Sequence, residues 1–242
     1  MARARAKKKA AAKRQAAKPV AQETIEEKKK RARAIVARLR KKYPGARTAL
    51  NFNTPFELLV ATILSAQCTD ERVNKVTPGL FAKYPTPEAF ASADFDELAQ
   101  DIRSTGFFRN KAKAIIESAK IICEKFGGEM PETMEGLLQL HGVSRKTANV
   151  VLGNALGKAT GVVVDTHVHR LALRMGLTQW RKRAQAEKVE QDLMELLPKK
   201  DWIFAGNALI LHGRDTCTAR EARCAECIVA DLCPQLVDLV PS

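Results

Sequence analysis

Aromatic side chains make up only 5% of this chain, too few for a surface that grips single-stranded nucleic acid by stacking its bases. No apolar run approaches the length of a membrane span, so a soluble protein without membrane partners is expected. A secretory signal pattern is missing as well, and with it the oxidising compartment in which the six cysteines would pair as disulfides. A chain of 242 residues can bury a core without such staples. β-Patterning is almost absent: Gly161-Val162-Val163-Val164 is the one β-like run, too short and solitary to make a sheet.

What the chain has in excess is positive charge, a formal +14 with a pI near 9.7, which favours a polyanionic partner. Eight of those positives and no acid lie in residues 1–22, so the remainder still carries +6. Residues 1–23 are Ala/Lys/Arg-rich and carry no pattern able to bury a core, which predicts a disordered basic tail. A solvated solubility tail and a non-specific phosphate-binding arm are equally open readings. A transit peptide fits less well, because serines and an amphipathic period are lacking.

From Thr24 onward the pattern predicts helix after helix, an all-α fold. Thr54-Pro55-Phe56-Glu57 and Thr86-Pro87-Glu88 each offer a hydroxyl cap, a first-turn proline and an acid behind it, and Pro131-Glu132 is a similar entry. Leu58 to Leu64 is apolar nearly all round and belongs in a core. Residues 107–126 keep a 3.6 period through Ala112, Ile115, Ile116, Ala119, Ile122 and Cys123, which makes Cys123 a core thiol.

Cys217, Cys224, Cys227 and Cys233 form a C-x6-C-x2-C-x5-C ladder inside seventeen residues. Four thiolates can hold zinc or an iron–sulfur cluster. Structural zinc sites usually bring two close pairs, whereas here one pair is flanked by single cysteines, and one contiguous loop around one cubane fits better.

Upstream, a short apolar helix over 134–140 meets a tight turn at Gly142, and a second helix starts near Ser144 with that residue as cap. The unpaired N–H groups of such a turn form a phosphate site without side-chain charge, although an ordinary helix corner has the same pattern. On the second helix Ala148, Val151, Leu152 and Ala155 make the apolar stripe, while Lys146, Asn149 and Gly153 share another face. A lysine there is ordinarily just solvated. In the first turn, however, the positive helix end works against an ammonium, and a neutral amine is a nucleophile. Asp165 directly follows the valine run and opens a helix at Thr166, the position of an N-cap.

The segments LHGVSRKTANVVL, VDTHVHR and LHGRDTC with the ladder behind it, together with LNFNTPFELLVATILSAQCTD, resemble endonuclease III of the helix–hairpin–helix DNA glycosylase superfamily. The likeness runs from about Ala32 to Cys233. It implies a two-domain fold: a six-helix barrel over 48–158 carrying the hairpin, and a cluster domain from 24–47 and 159–234 holding a [4Fe-4S] cluster on the four cysteines. It further implies a bifunctional glycosylase and abasic-site lyase acting on damaged pyrimidines in duplex DNA as a monomer; the missing secretion signal and reduced thiols predict the bacterial cytoplasm. Lys146 would attack the sugar C1′, expel the base and leave a Schiff base that cuts the strand by β-elimination, with Asp165 as its catalytic carboxylate. Gln67 would face the gap left by the extruded nucleotide, and Phe107 would stand in the wedge loop. Gly142, Val143, Ser144 and Arg145 would form the hairpin on a phosphate. His167 lies in the family's active-site strip, though a locally hydrogen-bonded histidine reads equally well, and Arg220 and Arg223 would meet phosphates from the cluster loop. His169 and His212 read as structural.

Two rivals stand beside this reading: an adenine- or mismatch-specific relative, which would lack a lysine where Lys146 stands, and a non-catalytic DNA-binding module. Departures from the family pattern are His141 and Ser144 in a hairpin that usually reads Pro-Gly-Val-Gly, and Thr105 with Phe107 where the wedge is commonly aliphatic.

Overall fold

A computed structural model describes residues 23–237; the predicted tail therefore lies, but for Glu23, outside the described residues. Eleven α-helices make up the described chain, joined by turns and short 3-10 segments, with no β-sheet among them. They are α1 (Ile25–Lys42), α2 (Pro55–Leu64), α3 (Asp70–Lys83), α4 (Pro87–Ala91), α5 (Phe95–Asp101), α6 (Phe108–Phe126), α7 (Met134–Leu137), α8 (Arg145–Asn154), α9 (Thr166–Arg174), α10 (Ala186–Leu196) and α11 (Trp202–Asp215). None of the described helices is long and apolar enough to cross a membrane.

Most helix starts are written in the sequence as side-chain caps. Thr54 and Thr86 accept from the backbone N–H three residues on, with Pro55 and Pro87 in the first helical position, and Thr24 forms a full capping box with Glu27. The entry expected at Pro131-Glu132 lies two residues later, where Thr133 caps α7. That helix stops at Leu137, short of the predicted 140, because Leu140 N–H turns back to the Leu137 carbonyl at 3.1 Å and tightens the chain into the hairpin.

Buried apolar side chains fall into two clusters. One gathers Leu50 through Leu152 and contains the all-round apolar helix α2, of which every residue from Leu58 to Leu64 is buried. The other joins Ile35, Val36 and Leu39 of α1 to Val162, Val164, α9, α10 and α11. The predicted period of α6 holds at Ala112, Ile115, Ile116, Ala119 and Ile122, but Cys123 stands at the rim, half-buried, with burial pushing its thiol up.

Helix α8 is where the two cores meet, and this corrects the face assigned to Lys146. Asn149 and Gly153 are buried, 3% exposed in the case of Asn149, while Lys146 is exposed. Glu190 of α10 is 5% exposed and accepts from Arg145 Nε at 2.8 Å, Arg145 Nη2 at 3.0 Å and Asn149 Nδ2 at 2.8 Å. The knot closes on a glycine: a Cβ at Gly161 would sit 1.9 Å from Glu190 Oε1. Removing one partner of a buried ion pair strands the other, yet Arg145 keeps 35% of its side chain in solvent, which softens the loss. Glu190→Ala is therefore expected to lower stability by roughly 2–3 kcal/mol in urea denaturation. A loss under about 0.5 kcal/mol, the scale of an ordinary surface change, would contradict the joint.

Candidate active site

The sequence places Lys146 in the first turn of α8 and Asp165 at the head of α9, and the fold brings both to one cleft of about 110 Å³. Asp165 is the cap it was expected to be. Its Oδ1 accepts from His167 N–H and Val168 N–H, both at 2.8 Å, which locks the carboxylate's orientation while the other oxygen has no such tie. Thr62 and Ser65 from the end of α2, and Asn207 and Arg214 of α11, line the same cleft.

Residues that the sequence reading did not single out join the walls. Arg214 Nη1 donates to Asp70 Oδ2 at 2.6 Å, tying the end of α11 to the start of α3 across the cleft. Asn154 Oδ1 accepts from Thr48 N–H at 3.1 Å and Asn207 Nδ2 at 2.9 Å, fixing a third junction between the cores. Asp70 and Arg214 lay inside quoted motifs, but nothing in one sequence couples positions 144 residues apart. A larger hollow of about 800 Å³ beside Phe52, Phe81 and Pro78 shares Arg47 to Leu50 with this cleft but holds neither Lys146 nor Asp165. Chemistry, not size, singles out the smaller one.

Along the hairpin, Gly142 takes φ 72°, a conformation that favours glycine, and Ser144 caps α8 through a 3.4 Å bond from Thr147 N–H. Val143 turns its side chain into the first core and spends its N–H on the Leu140 carbonyl. No backbone bond outside the helices engages the N–H of Gly142, Ser144 or Arg145, so these donors are free for an anion. Arg145's guanidinium is committed to Glu190, which leaves its backbone as the part facing a phosphate. His141, in the family's proline place, is held instead by contacts: Nδ1 lies 2.9 Å from Glu117 Oε2, and its carbonyl accepts from Ser118 Oγ at 3.0 Å.

Gln67 and Phe107 share an unusual backbone. Both are exposed, Phe107 by 62%, and both take left-handed φ, 53° and 49°. Such non-glycine conformations cost on the order of 1–3 kcal/mol and mark constrained sites. Thr105 is no wedge: it is 2% exposed and its hydroxyl donates to the Ile102 carbonyl. Phe108, by contrast with its neighbour, packs on the first core.

His167 is half-buried outside the cleft lining, with Nδ1 3.2 Å from Arg170 Nη2. Burial first, then Arg170 and Arg214, push its imidazole below the usual range against the pull of Asp165. His169 and His212 are buried, as a structural role requires; His212 is held down to about 4 by burial and by Lys42, and is neutral at pH 7.

All six cysteines are unpaired, and the four of the ladder line one pocket with Arg174 and His212. Arginines of α1 anchor this loop: Arg38 donates to the Ile228 carbonyl at 3.0 Å and to Asp231, and Arg31 to the Leu232 carbonyl. Among the described residues no group of three or more His, Cys, Asp or Glu side chains is set to hold a single ion. Four cysteines facing one gap are a ligand set of the kind that holds a metal centre.

The charges around the gap agree. Arg170 and Arg174 are buried, each with an Nε atom that finds no hydrogen-bond acceptor, and Arg174 Nη1 points at Cys217 Sγ from 3.3 Å. Buried cations need an anion. Burial, with the nearness of the other sulfurs, pushes Cys224 and Cys227 up and Cys233 to about 11, so these three thiols, left bare, do not supply it. A cluster bound by four thiolates is anionic and would. On the loop itself Arg220 is exposed, while Arg223 pairs with the Asp215 carbonyl and carboxylate and with Glu226.

Residues 60–199 match the profile described as HhH-GPD superfamily base excision DNA repair protein. The chain is 55% identical over 207 residues to the endonuclease III of Synechocystis sp., covering 86% of this chain and 93% of that one. It is 43% identical over 199 residues to the endonuclease III of Escherichia coli K12, with 82% and 92% covered. Among solved structures it is similar to a trapped endonuclease III–DNA covalent intermediate, with a TM-score of 0.79 at 41% identity over 85% of this chain and 95% of that one. This chain belongs to the HhH-GPD superfamily of base excision DNA repair proteins.

Proposed function

We propose that this protein is a bifunctional DNA glycosylase and abasic-site lyase that removes damaged pyrimidines from duplex DNA and cuts the strand behind them. The observation that carries it is the meeting of Lys146 and Asp165 in one cleft between two cores, in a chain so similar to endonuclease III. Residues 48–158 form the barrel domain in this reading, and 24–47 with 159–234 the cluster domain.

The free N–H groups of the hairpin bind a backbone phosphate, and this contact sets register without reading sequence. The target nucleotide leaves the stack, because C1′ is out of reach inside it. Lys146 Nζ attacks C1′ and the base departs; the C1′–O4′ bond then opens, its oxygen taking up a proton, and leaves an imine that only an amine can form. Asp165, held by its two helix N–H bonds, takes the proton or faces the positive charge that develops at C1′. β-Elimination then breaks the strand.

Cys217, Cys224, Cys227 and Cys233 hold a [4Fe-4S] cluster in this reading, supported by the two uncompensated guanidinium groups beside them. Such a centre would supply structure, holding in place the loop that carries Arg220 and Arg223, since lysine chemistry consumes no electrons. Cys224→Ala is expected to lose the brown colour and several kcal/mol of stability. An unchanged melting temperature with iron gone would contradict this.

The enzyme works as a monomer in the bacterial cytoplasm, where reduced thiols persist. A panel of duplexes with one thymine glycol, one abasic site or no lesion, incubated with borohydride, tests the activity. Covalent adduct and strand cuts are expected on the first two; tight duplex binding with neither product would leave only a DNA-binding module.

A further inference from the structure

Lys111 of α6 is 5% exposed, and among the described ion pairs it has no carboxylate partner; burial pulls it below the usual lysine range. A lysine rarely goes so deep without one. Its Nζ donates instead to two carbonyls, Leu64 at 2.7 Å and Thr105 at 2.8 Å. Leu64 is the last residue of α2, whose free carbonyls and negative dipole end attract a cation. Thr105 closes the 3-10 turn that precedes α6.

What lies beyond these two anchors gives the arrangement its meaning. Three residues after Leu64 stands Gln67, and two after Thr105 stands Phe107, the two exposed left-handed residues described above. Apart from Gln235, no other described non-glycine residue takes a positive φ. Strained conformations persist only where their surroundings over-determine them. The loops belong to different helices, and one ammonium holds both.

We propose that Lys111 is a positioning residue that joins the Gln67 turn and the Phe107 turn into one unit, so that both side chains enter the duplex together when the target nucleotide is extruded. Phe107 parts the stack and Gln67 fills the vacated place; without the tether each turn relaxes on its own. The inference rests on the duplex-DNA reading above. It assigns no chemistry to Lys111, whose amine is turned inward.

A duplex carrying a tetrahydrofuran abasic analogue, with 2-aminopurine next to it, reports unstacking as a rise in fluorescence. Lys111→Met keeps the length and apolar stem and removes the donors, and it is expected to weaken the rise roughly tenfold, the scale of one lost charged hydrogen bond. Lys111→Arg, which can still donate to both carbonyls, is expected to restore most of it. In the wild-type background Gln67→Ala and Phe107→Ala are expected to be strongly non-additive, and in Lys111→Met to add simply.

Wild-type fluorescence from Lys111→Met overturns the proposal, as does simple additivity in both backgrounds. Equal losses in Lys111→Met and Lys111→Arg, matched by equal falls in melting temperature, reduce the lysine to a packing element and overturn it too. If the unmodified protein gives neither unstacking nor a borohydride adduct on an abasic duplex, the function itself fails and takes this inference with it. An intact adduct alongside an indifferent Lys111→Met sinks the coupling alone.

Discussion

Lys146→Gln forms no borohydride adduct with an abasic duplex and cuts strands on the order of ten-thousand-fold more slowly than the unaltered enzyme, the scale of losing a covalent nucleophile. The side chain is exposed in the first turn of α8, and glutamine has nearly the helix propensity of lysine, so stability stays within about 0.5 kcal/mol. Duplex binding loses one phosphate-range charge out of a strongly basic surface and changes little. What vanishes is the imine. Base release need not vanish equally, because Asp165 still faces the cleft and water can attack C1′ slowly in place of the amine. Base release without strand cutting or adduct is therefore the signature expected of this variant. A full yield of adduct would mean that another amine is the nucleophile, and the assignment of Lys146 would fall.

The features legible in the sequence are local ones. Thr54 with Pro55, Thr86 with Pro87 and Asp165 before Thr166 announce helix starts because a cap involves only a few neighbouring residues. The cysteine ladder is similarly contained within one loop. Long-range partnerships left no such trace. Glu190 reads as a solvated acid on an amphipathic helix, and only folding reveals Arg145 and Asn149 closing over it. The same blindness put Asn149 on an open face, since helical periodicity knows one core and α8 packs against two. Lys111 sat unnoticed inside a buried helix. Its two acceptors are carbonyls, which every residue has, so no residue type could have pointed to them.

Asp165→Asn separates the two roles that this position combines. Asparagine is as good an N-cap as aspartate, and its side-chain oxygen can go on accepting from His167 N–H and Val168 N–H. The fold then loses only the charge–dipole attraction at the head of α9, about 0.3–1 kcal/mol. Catalysis loses much more. An amide neither takes a proton at neutral pH nor balances positive charge at C1′, and the removal of one such preorganised group typically costs about a hundred- to a thousandfold in rate. Asp165→Ala removes the cap as well and is expected to cost a further 0.5–2 kcal/mol of stability, roughly, with little additional loss of rate. Comparison of melting temperature and single-turnover rate for the two variants decides the matter. Should Asp165→Asn keep wild-type rates, the carboxylate is a cap alone, and the cleft would need another group beside Lys146 to answer the charge at C1′.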